Sequence, residues 1–474
     1  MMNETKPASA GLSALALLVA AAFFMEYLDG TVIATALPQM ARDFGVTAVS
    51  LNVGMSAYML TLAVFIPLSG WAAERFGARH IFTLALMIFT ASSLACAFAN
   101  NVTEFVVLRI VQGVGGAMMV PVGRLTVLKT TPKPQLIKAI ATLTWPALVA
   151  PILGPPLGGF ITQYASWHWI FLINVPIGLL AMMLTWRLFP HTAGKHSLPF
   201  DGKGFILTAI AMLGLVSGLG ALSQPRIEWV TVSLLLALGG LSAVLMINHS
   251  RFSPSPMVSA QSLHTPTFRI AMGGGTLFRI TISAVPFLLP LMLQVGFGFD
   301  PFRAGLLVLA VFAGNLAMKP ATTPLIRRFG FRAVLVVNGA LSGLSLLLCA
   351  SLTPTTPVWL ILLLLFLGGL SRSMQFTAIS TLAFSDIPPP QMANANTLFS
   401  TALQLAVGLG VTLGALGIRL GEQVAHWGAW QTVPGISFKL AFVFVAALTL
   451  IGWIDIWRLE ANAGHSVSGS KRGV

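Results

Sequence analysis

Two carboxylates, Glu26 and Asp29, stand three residues apart inside an otherwise apolar stretch. That spacing puts both on one face of a helix. Arg109 and Gln112 repeat the spacing in a second apolar stretch, and Arg279 and Arg372 lie inside two more. A charge in hydrocarbon costs at least about 2.5–3.5 kcal/mol on insertion scales, so such residues point to a function. Two carboxylates facing one cavity repel each other and lose solvation, so one of them can bind and release a proton. An arginine stays charged at any relevant pH, and its approach helps to expel that proton. These residues therefore suit proton coupling by Asp29 and Glu26, with Arg109 controlling release. Two plainer readings stand beside this one. Asp29 and Arg109 can form a fixed structural ion pair, and Glu26 can line an aqueous vestibule. The further polar candidates for a cavity wall are Arg279, Gln112, Gln294, Asn315, Arg372, Gln375 and Gln404, with Trp145 and Asn396; most also suit hydrogen bonds between helices.

The elements that position these residues must be membrane spans. Of 474 residues, 27 are Lys or Arg and 13 are Asp or Glu; charged residues make up 8% and apolar residues 56%. Mean hydropathy is +0.86. A soluble domain carries roughly 25% charged residues, so a soluble enzyme, a nucleic-acid binder and a disordered chain are excluded. Windows of about 20 apolar residues fall at 12–37, 50–71, 81–99, 105–126, 138–161, 169–189, 204–222, 229–248, 269–293, 302–323, 333–352, 357–382, 395–419 and 436–458. The first carries Glu26 and Asp29, and no small-residue cleavage site precedes the next, so it reads as a span and not a cleaved signal peptide.

With the N-terminus placed in the cytoplasm, nineteen Lys and Arg fall on one set of loops and tails. Five fall on the other: Arg42, Arg226, Arg303, Arg419 and Lys439. This bias fits both termini in the cytoplasm and accounts for the net charge of +14 without a polyanion partner. Cys96 and Cys349 lie far apart in apolar runs, so neither a disulfide framework nor a metal cluster is expected.

The chain repeats itself. Glu74-Arg75-Phe-Gly77-Ala-Arg79 follows the second span, and Arg327-Arg328-Phe-Gly330-Phe-Arg332 follows the tenth. Arg109-x-x-Gln112 in the fourth span matches Arg372-x-x-Gln375 in the twelfth. Gly154-Pro155-Pro156-x-Gly158-Gly159 in the fifth matches Gly408-x-Gly410 with Gly414 in the thirteenth. Two six-helix halves with two extra helices between them give fourteen spans, the pattern of a secondary transporter with its site at the midplane. An acid such as Glu74 at a helix end suits a pair with arginines or a helix N-terminus. Gly70, Glu74, Arg75, Gly77, Arg79, Arg328, Gly330 and Arg332 are therefore read as a cytoplasmic latch that holds one conformation.

These motifs resemble those of the major facilitator superfamily, in particular its fourteen-span drug:proton antiporter family. Gly70–Arg79 is similar to the superfamily loop motif, with Glu74 where Asp is usual and Ala78 where a basic residue is usual. Arg109-x-x-Gln112-Gly113-x-Gly115-Gly116-Ala117 resembles the fourth-helix motif, and Gly154-Pro155-x-x-Gly158-Gly159 the fifth-helix antiporter motif, with Ala150 where a Gly often begins it. Leu28–Pro38 and Trp167–Gly178 resemble the first-helix motif and the sixth-helix entry of the fourteen-span proteins. The resemblance implies an all-α membrane protein. Its parts would be an N-terminal half over 1–190, two inserted helices over 191–265, and a C-terminal half over 266–474. It also implies a proton-coupled exporter of amphipathic or drug-like compounds that works by alternating access, as a monomer in a bacterial cytoplasmic membrane.

Other expectations complete the reading. The partners are a small amphipathic substrate, the proton and the lipid bilayer, with no nucleic acid. No cofactor or metal is expected. No GxxxxGK[ST] loop occurs, so ATP is not the energy source, and no enzymatic constellation is present. The rival functions are a proton-coupled exporter of one metabolite (an organic acid, sugar or siderophore-like compound), which three membrane arginines favour, and a non-transporting membrane receptor. Arg279 is expected about opposite the Glu26–Asp29 face. The inserted helices are expected to be peripheral, and His168 is expected to anchor the chain at the interface.

Overall fold

The computed structural model describes residues 6–33, 36–46, 48–191, 194, 199–222, 227–254, 256–428, 430 and 432–468, with the backbone alone at 6–12, 38, 48–50, 52, 147, 148, 151, 152, 155, 301 and 302. No strand occurs among the described residues. Twelve helices among them are long and apolar enough to cross a bilayer, and α5 and α10 complete a set of fourteen spans. The spans are α1 (Lys6–Val32), α2 (Ala48–Phe76), α3 (Ala78–Cys96), α4 (Val102–Thr130), α5 (Leu136–Tyr164), α6 (His168–Leu188), α7 (Gly202–Leu222), α8 (Trp229–Phe252), α9 (Pro266–Gly296), α10 (301–329), α11 (331–351), α12 (Val358–Ser385), α13 (Met392–Trp427) and α14 (Ile436–Ile456).

Local chemistry sets several span ends. Asn101 caps α4 by accepting from the Glu104 N–H at 2.9 Å, while the Glu104 carboxylate accepts from the Asn100 N–H at 3.0 Å, a reciprocal cap. Asp300 caps α10 in the same way, with Pro301 in the first turn. The first span ends at Val32, short of the expected 37, and a separate helix, Leu37–Phe44, follows with Pro38 in its first turn. Pro38 has no N–H to continue α1 but fits the start of a helix. The tenth span runs on past 323 to Gly330. Gly77 (φ 88°) and Gly330 (φ 78°) turn the chain between α2 and α3 and between α10 and α11. Both occupy the left-handed region that a side chain disfavours, so the repeated Arg-Phe-Gly-x-Arg sequence makes one turn twice.

The halves pack alike. In the first, α2 and α3 lie against α4, and α1 lies against α5; in the second, α10 and α11 lie against α12, and α9 against α13. The inserted pair is peripheral, its two helices the least buried of the twelve candidate spans, yet it touches both halves. α8 packs on α7, but α7 lies against α2 of one half and α13 of the other, and Thr412 Oγ1 of α13 donates to Leu219 O at 2.9 Å. Asp201 clasps this pair at one end. It accepts from the Gly204 N–H at 2.9 Å, from the Met257 N–H at 3.2 Å, and pairs with His249 Nε2 at 2.7 Å. Trp167 is 1% exposed, and its Nε1 donates to Asp43 Oδ2 at 2.6 Å. It packs on Phe44 of the helix Leu37–Phe44, and the half-buried His168 stacks on it, ring centroids 3.9 Å apart.

Two cations assigned to loops by the charge count are corrected. Arg124 lies within α4 and Lys319 within α10, each bonded across the halves. Both fall inside their own apolar windows, 105–126 and 302–323, which is the signal that identifies them. The loop bias persists without them. Lys195, Arg226, Lys471 and Arg472 of that count lie outside the described residues.

Candidate functional site

Asp29 is 2% exposed and Arg109 is 1% exposed, and they meet inside the first half. Arg109 Nη1 donates to Asp29 Oδ2 at 2.6 Å and to Gln112 Oε1 at 2.6 Å. The other carboxylate oxygen, Oδ1, accepts from Gln112 Nε2 at 3.0 Å and from Asn174 Nδ2 at 3.1 Å. Asn174 also donates to Ser93 Oγ at 3.0 Å. Four helices thus converge on one carboxylate: α1 carries it, α4 supplies Arg109 and Gln112, α6 supplies Asn174, and α3 supplies Ser93. The Arg109 guanidinium also lies 4.0 Å from the centroid of the Tyr58 ring on α2, a cation–π contact worth about 2 kcal/mol when desolvated. Removing one member of such a buried pair costs about 3–5 kcal/mol, because the other charge is left uncompensated.

Glu26, one turn along α1, is 9% exposed. Its Oε2 and the Tyr58 hydroxyl are both buried without a hydrogen-bond partner among the described residues. A Cβ added at Gly116 would lie 3.3 Å from Tyr58 Oη and 3.5 Å from Glu26 Cδ, so both groups border the same glycine. Tyr58 therefore presents its face to the Asp29–Arg109 pair and its hydroxyl end toward the region of Glu26. Asp29, Arg109 and Gln112 are marked in the sequence by charge and spacing, whereas Tyr58, Ser93 and Asn174 join them only through the fold. Asn174 stands in the motif at the start of the sixth span, whereas the other two carry no signal in one sequence.

The fifth-helix motif touches the site from the next helix. A Cβ at Gly154 would fall 2.3 Å from Thr31 Oγ1, two residues beyond Asp29, and Thr31 Oγ1 also reaches Ala150 O at 3.4 Å. α5 stays helical through Pro155 and Pro156. Gly158 is buried and Gly159 faces open space; the side chain of Pro155 lies outside the described residues.

The cavity candidates divide. Arg279 is 1% exposed but does not meet Asp29 or Glu26 among its described contacts. Its Nη1 donates to Ala271 O at 3.0 Å, and its guanidinium lies 4.4 Å from the Phe399 centroid. Arg124 approaches the same Phe399 ring at 5.2 Å and donates to Ser400 Oγ at 3.2 Å. The expectation that Arg279 faces the two acids is therefore corrected: the break at Gly273 in α9 exposes a carbonyl that accepts from Nη1, while Nε and Nη2 are buried without a partner among the described residues. Phe23, Tyr27, Arg124, Phe376, Phe384 and Phe399 line a narrow cleft of about 20 Å³ between the halves. Trp145 stacks on Phe24 at 5.7 Å. Gln294 sits half-buried in the wide last turn of α9 and Gln404 half-buried on α13. Asn315 is 1% exposed, with both amide atoms unpartnered among the described residues. Gln375 Oε1 accepts from Asn338 at 2.9 Å, and Arg372 lines a pocket within the second half.

At the end of the molecule that bears Gly77 and Gly330, the halves are tied together. Lys319 Nζ of α10 donates to Thr144 Oγ1 of α5 at 2.8 Å and Thr377 Oγ1 of α12 at 3.0 Å. Asn396 Nδ2 of α13 donates to Pro121 O of α4 at 3.0 Å, and Arg327 to Pro134 O at 2.6 Å. Gly70 lets α2 approach α13, since a Cβ there would fall 2.2 Å from Thr397 Oγ1. Glu74 pairs with Lys129 Nζ at 3.0 Å. Arg79 donates to Trp186 O, and its guanidinium lies 4.5 Å from that ring. Arg332 reaches Trp457 O at 3.5 Å in the matching place. Arg75 packs on Trp71 at 5.5 Å, and Arg328 on Phe329 at 5.4 Å.

A model of the major facilitator superfamily matches residues 19–278 and again residues 271–473. The chain belongs to the major facilitator superfamily. Superfamily membership makes it a multi-pass membrane transporter and not an enzyme. Relatives that carry the provisional name multidrug resistance protein MdtD match nearly end to end. The one from Salmonella paratyphi A is 40% identical over 458 residues, covering 96% of each chain. The one from Pectobacterium atrosepticum is 37% identical over 437 residues, 92% of this chain and 94% of that one. Two solved superfamily structures share the fold at 14% identity. The proton:xylose symporter XylE, bound to 6-bromo-6-deoxy-D-glucose, superimposes with a TM-score of 0.61 over 95% of this chain and 96% of its own. The human organic anion transporter MFSD10 (TETRAN) does so with 0.64 over 95% and 100%.

Proposed function

We propose that the chain is a proton-driven exporter of amphipathic or drug-like compounds that works by alternating access. The observation that carries this reading is the Asp29 carboxylate, out of water and held at both oxygens by Arg109, Gln112 and Asn174. A proton on Asp29 cancels the charge that binds Arg109 and turns one acceptor oxygen into a donor. The bonds from α4 and α6 to α1 then weaken together, and Gly154 against Thr31 passes the change to α5. Deprotonation restores the pair. Glu26 and the inter-half cleft at Phe399 receive the substrate, and Glu26 shapes which substrates are accepted. The names of the relatives support a drug-export role.

The Lys319, Arg327 and Asn396 ties, with Glu74–Lys129 and Gly70 beside them, form the latch in this reading. The charge bias sets that end in the cytoplasm, so this conformation is closed inward. The protein works as a monomer of two halves, 1–190 and 266–474, with 191–265 inserted, in a bacterial cytoplasmic membrane with both termini inside. A second reading, export of one organic acid, draws on Arg124 and Arg279 placed against Phe399, since a cleft for cations alone gains nothing from them. Efflux from proteoliposomes, with a panel of lipophilic cations and organic acids, tests both. Uphill movement should follow an imposed proton gradient and stop with an uncoupler. Efflux driven by ATP without a gradient would sink the antiport reading, and the accepted panel members choose between the substrate classes.

A further inference from the structure

The second half repeats the Asp29 site with its acid and most of its polar partners replaced. On α9, the span that matches α1, Thr281 stands nine residues before Pro290 as Asp29 stands nine before Pro38, so Thr281 holds the place of Asp29. Counting from Gly77 and Gly330, Tyr58 becomes Val311, Ser93 becomes Leu346, and Cys96 is matched by Cys349. Counting from Trp186 and Trp457, Asn174 becomes Val445. Arg109 alone keeps its charge, as Arg372. These matched positions meet in space: Thr281, Val311, Leu346, Cys349 and Arg372 line one pocket of about 50 Å³. A single water needs roughly 10–15 Å³ on this measure, so a small ion fits.

Arg372 is half-buried as a residue, but its Nε and Nη1 are shielded from solvent and have no hydrogen-bond partner among the described residues. The nearby hydroxyls of Thr281 and Ser345 turn their protons to Phe278 O at 2.9 Å and Ser342 O at 2.8 Å, and neither oxygen is within hydrogen-bond reach of Arg372 Nε or Nη1. Gln375, the match of Gln112, is engaged by Asn338. A permanent cation in an apolar pocket is among the costliest arrangements in a protein unless an opposite charge meets it. We infer that this pocket binds a small monovalent anion, of chloride to carboxylate size, which does for Arg372 what Asp29 does for Arg109. The anion comes from solution as a halide or as the carboxylate of a small acid.

The test is thermal unfolding of the full-length protein in nanodiscs, with chloride, bromide or acetate replacing gluconate, which is too large for the pocket. The midpoint of the wild-type protein should rise by about 2 °C or more with an anion that binds. A response to halides identifies the inorganic ion, and a response to acetate alone identifies a carboxylate. Arg372→Gln should lose the response. Thr281→Asp supplies the missing acid, so its midpoint in gluconate should approach that of the wild type with anion, and added anion should no longer matter. No wild-type response to any of the three anions overturns the inference, as does an unchanged response in Arg372→Gln. If that variant does not fold, an unchanged response in Thr281→Asp overturns it. Transport is not needed for this measurement, so it stands or falls separately from the antiport reading.

Discussion

Arg109 and Arg372 occupy matched places on α4 and α12, yet their surroundings differ in kind. Around Arg109 a carboxylate, two amides and a tyrosine ring come from α1, α2, α4 and α6. Around Arg372 the matched positions hold a threonine, valines and a leucine beside a pocket. Duplication preserved the scaffold, including the Gly77 and Gly330 turns and the arginine–carbonyl caps at Trp186 and Trp457. It did not preserve the charge balance. The first half sets a carboxylate against its arginine, while the second half keeps the arginine without one.

The largest expected effect separates the halves by function. Asp29→Asn fixes the neutral form, so uphill transport should fall by about 100-fold or more, roughly 2.7 kcal/mol, while substrate binding persists and loses its pH dependence. Thr281→Asn at the matched place should leave the pH profile of binding as it is. Binding curves against pH for wild type, Asp29→Asn and Glu26→Gln decide the matter. Glu26→Gln should alter substrate preference more than coupling. If it abolishes the pH dependence and Asp29→Asn does not, the two acids have exchanged roles.

Stability gives a second contrast. Arg109→Met strands the Asp29 charge and should cost about 3–5 kcal/mol, whereas Arg372→Met strands no acid and should be near neutral or stabilising. Denaturant unfolding in gluconate measures both, and equal losses would break the comparison.

A smaller effect concerns the ties at the closed end. Glu74→Gln and Lys129→Gln remove the same pair and should each slow turnover by about tenfold, or about 1.4 kcal/mol of barrier. Affinity should stay within a few-fold. Normal turnover in either variant reduces Glu74 to a loop charge.

The smallest effect lies outside both halves. Asp201→Asn keeps a cap acceptor but removes the charge, and should loosen the inserted pair by up to about 1 kcal/mol, the scale of a partly exposed ion pair. Burial alone would raise the Asp201 carboxyl, but hydrogen bonds from Gly204, His249 and Met257 outweigh it and hold it below its usual value. That contribution is present above the ordinary Asp value of about 3.9 and lost only as pH falls through the lowered one. Hydrogen exchange at 202–208 should therefore differ fully between the variants at neutral pH and converge in acid.

Much of this was legible in the chain because a bilayer makes sequence unusually informative. Spans announce themselves by length and hydropathy, and charges within them are too costly to be incidental, so Glu26, Asp29, Arg109, Arg279 and Arg372 stood out. Arg124 and Lys319 were misplaced because a cation near a span end resembles a loop charge until the helix is seen to continue. Glu74 is visible in the sequence as a lone acid beside arginines, but its partner is not, since Lys129 is remote in sequence and joins it only where α4 ends beside α2.

The sequence by itself determined the spans, their duplication and the identity of the charges, because these follow from composition and from spacing along one chain. Only the tertiary structure decided which charges are compensated. Asn174, Tyr58 and Ser93 reach the Asp29 site from three other helices, and the break at Gly273 turns Arg279 toward a carbonyl and away from the acids. Compensation depends on distances of about 3 Å between atoms far apart in the chain, and helix packing sets those distances, not the local order of residues.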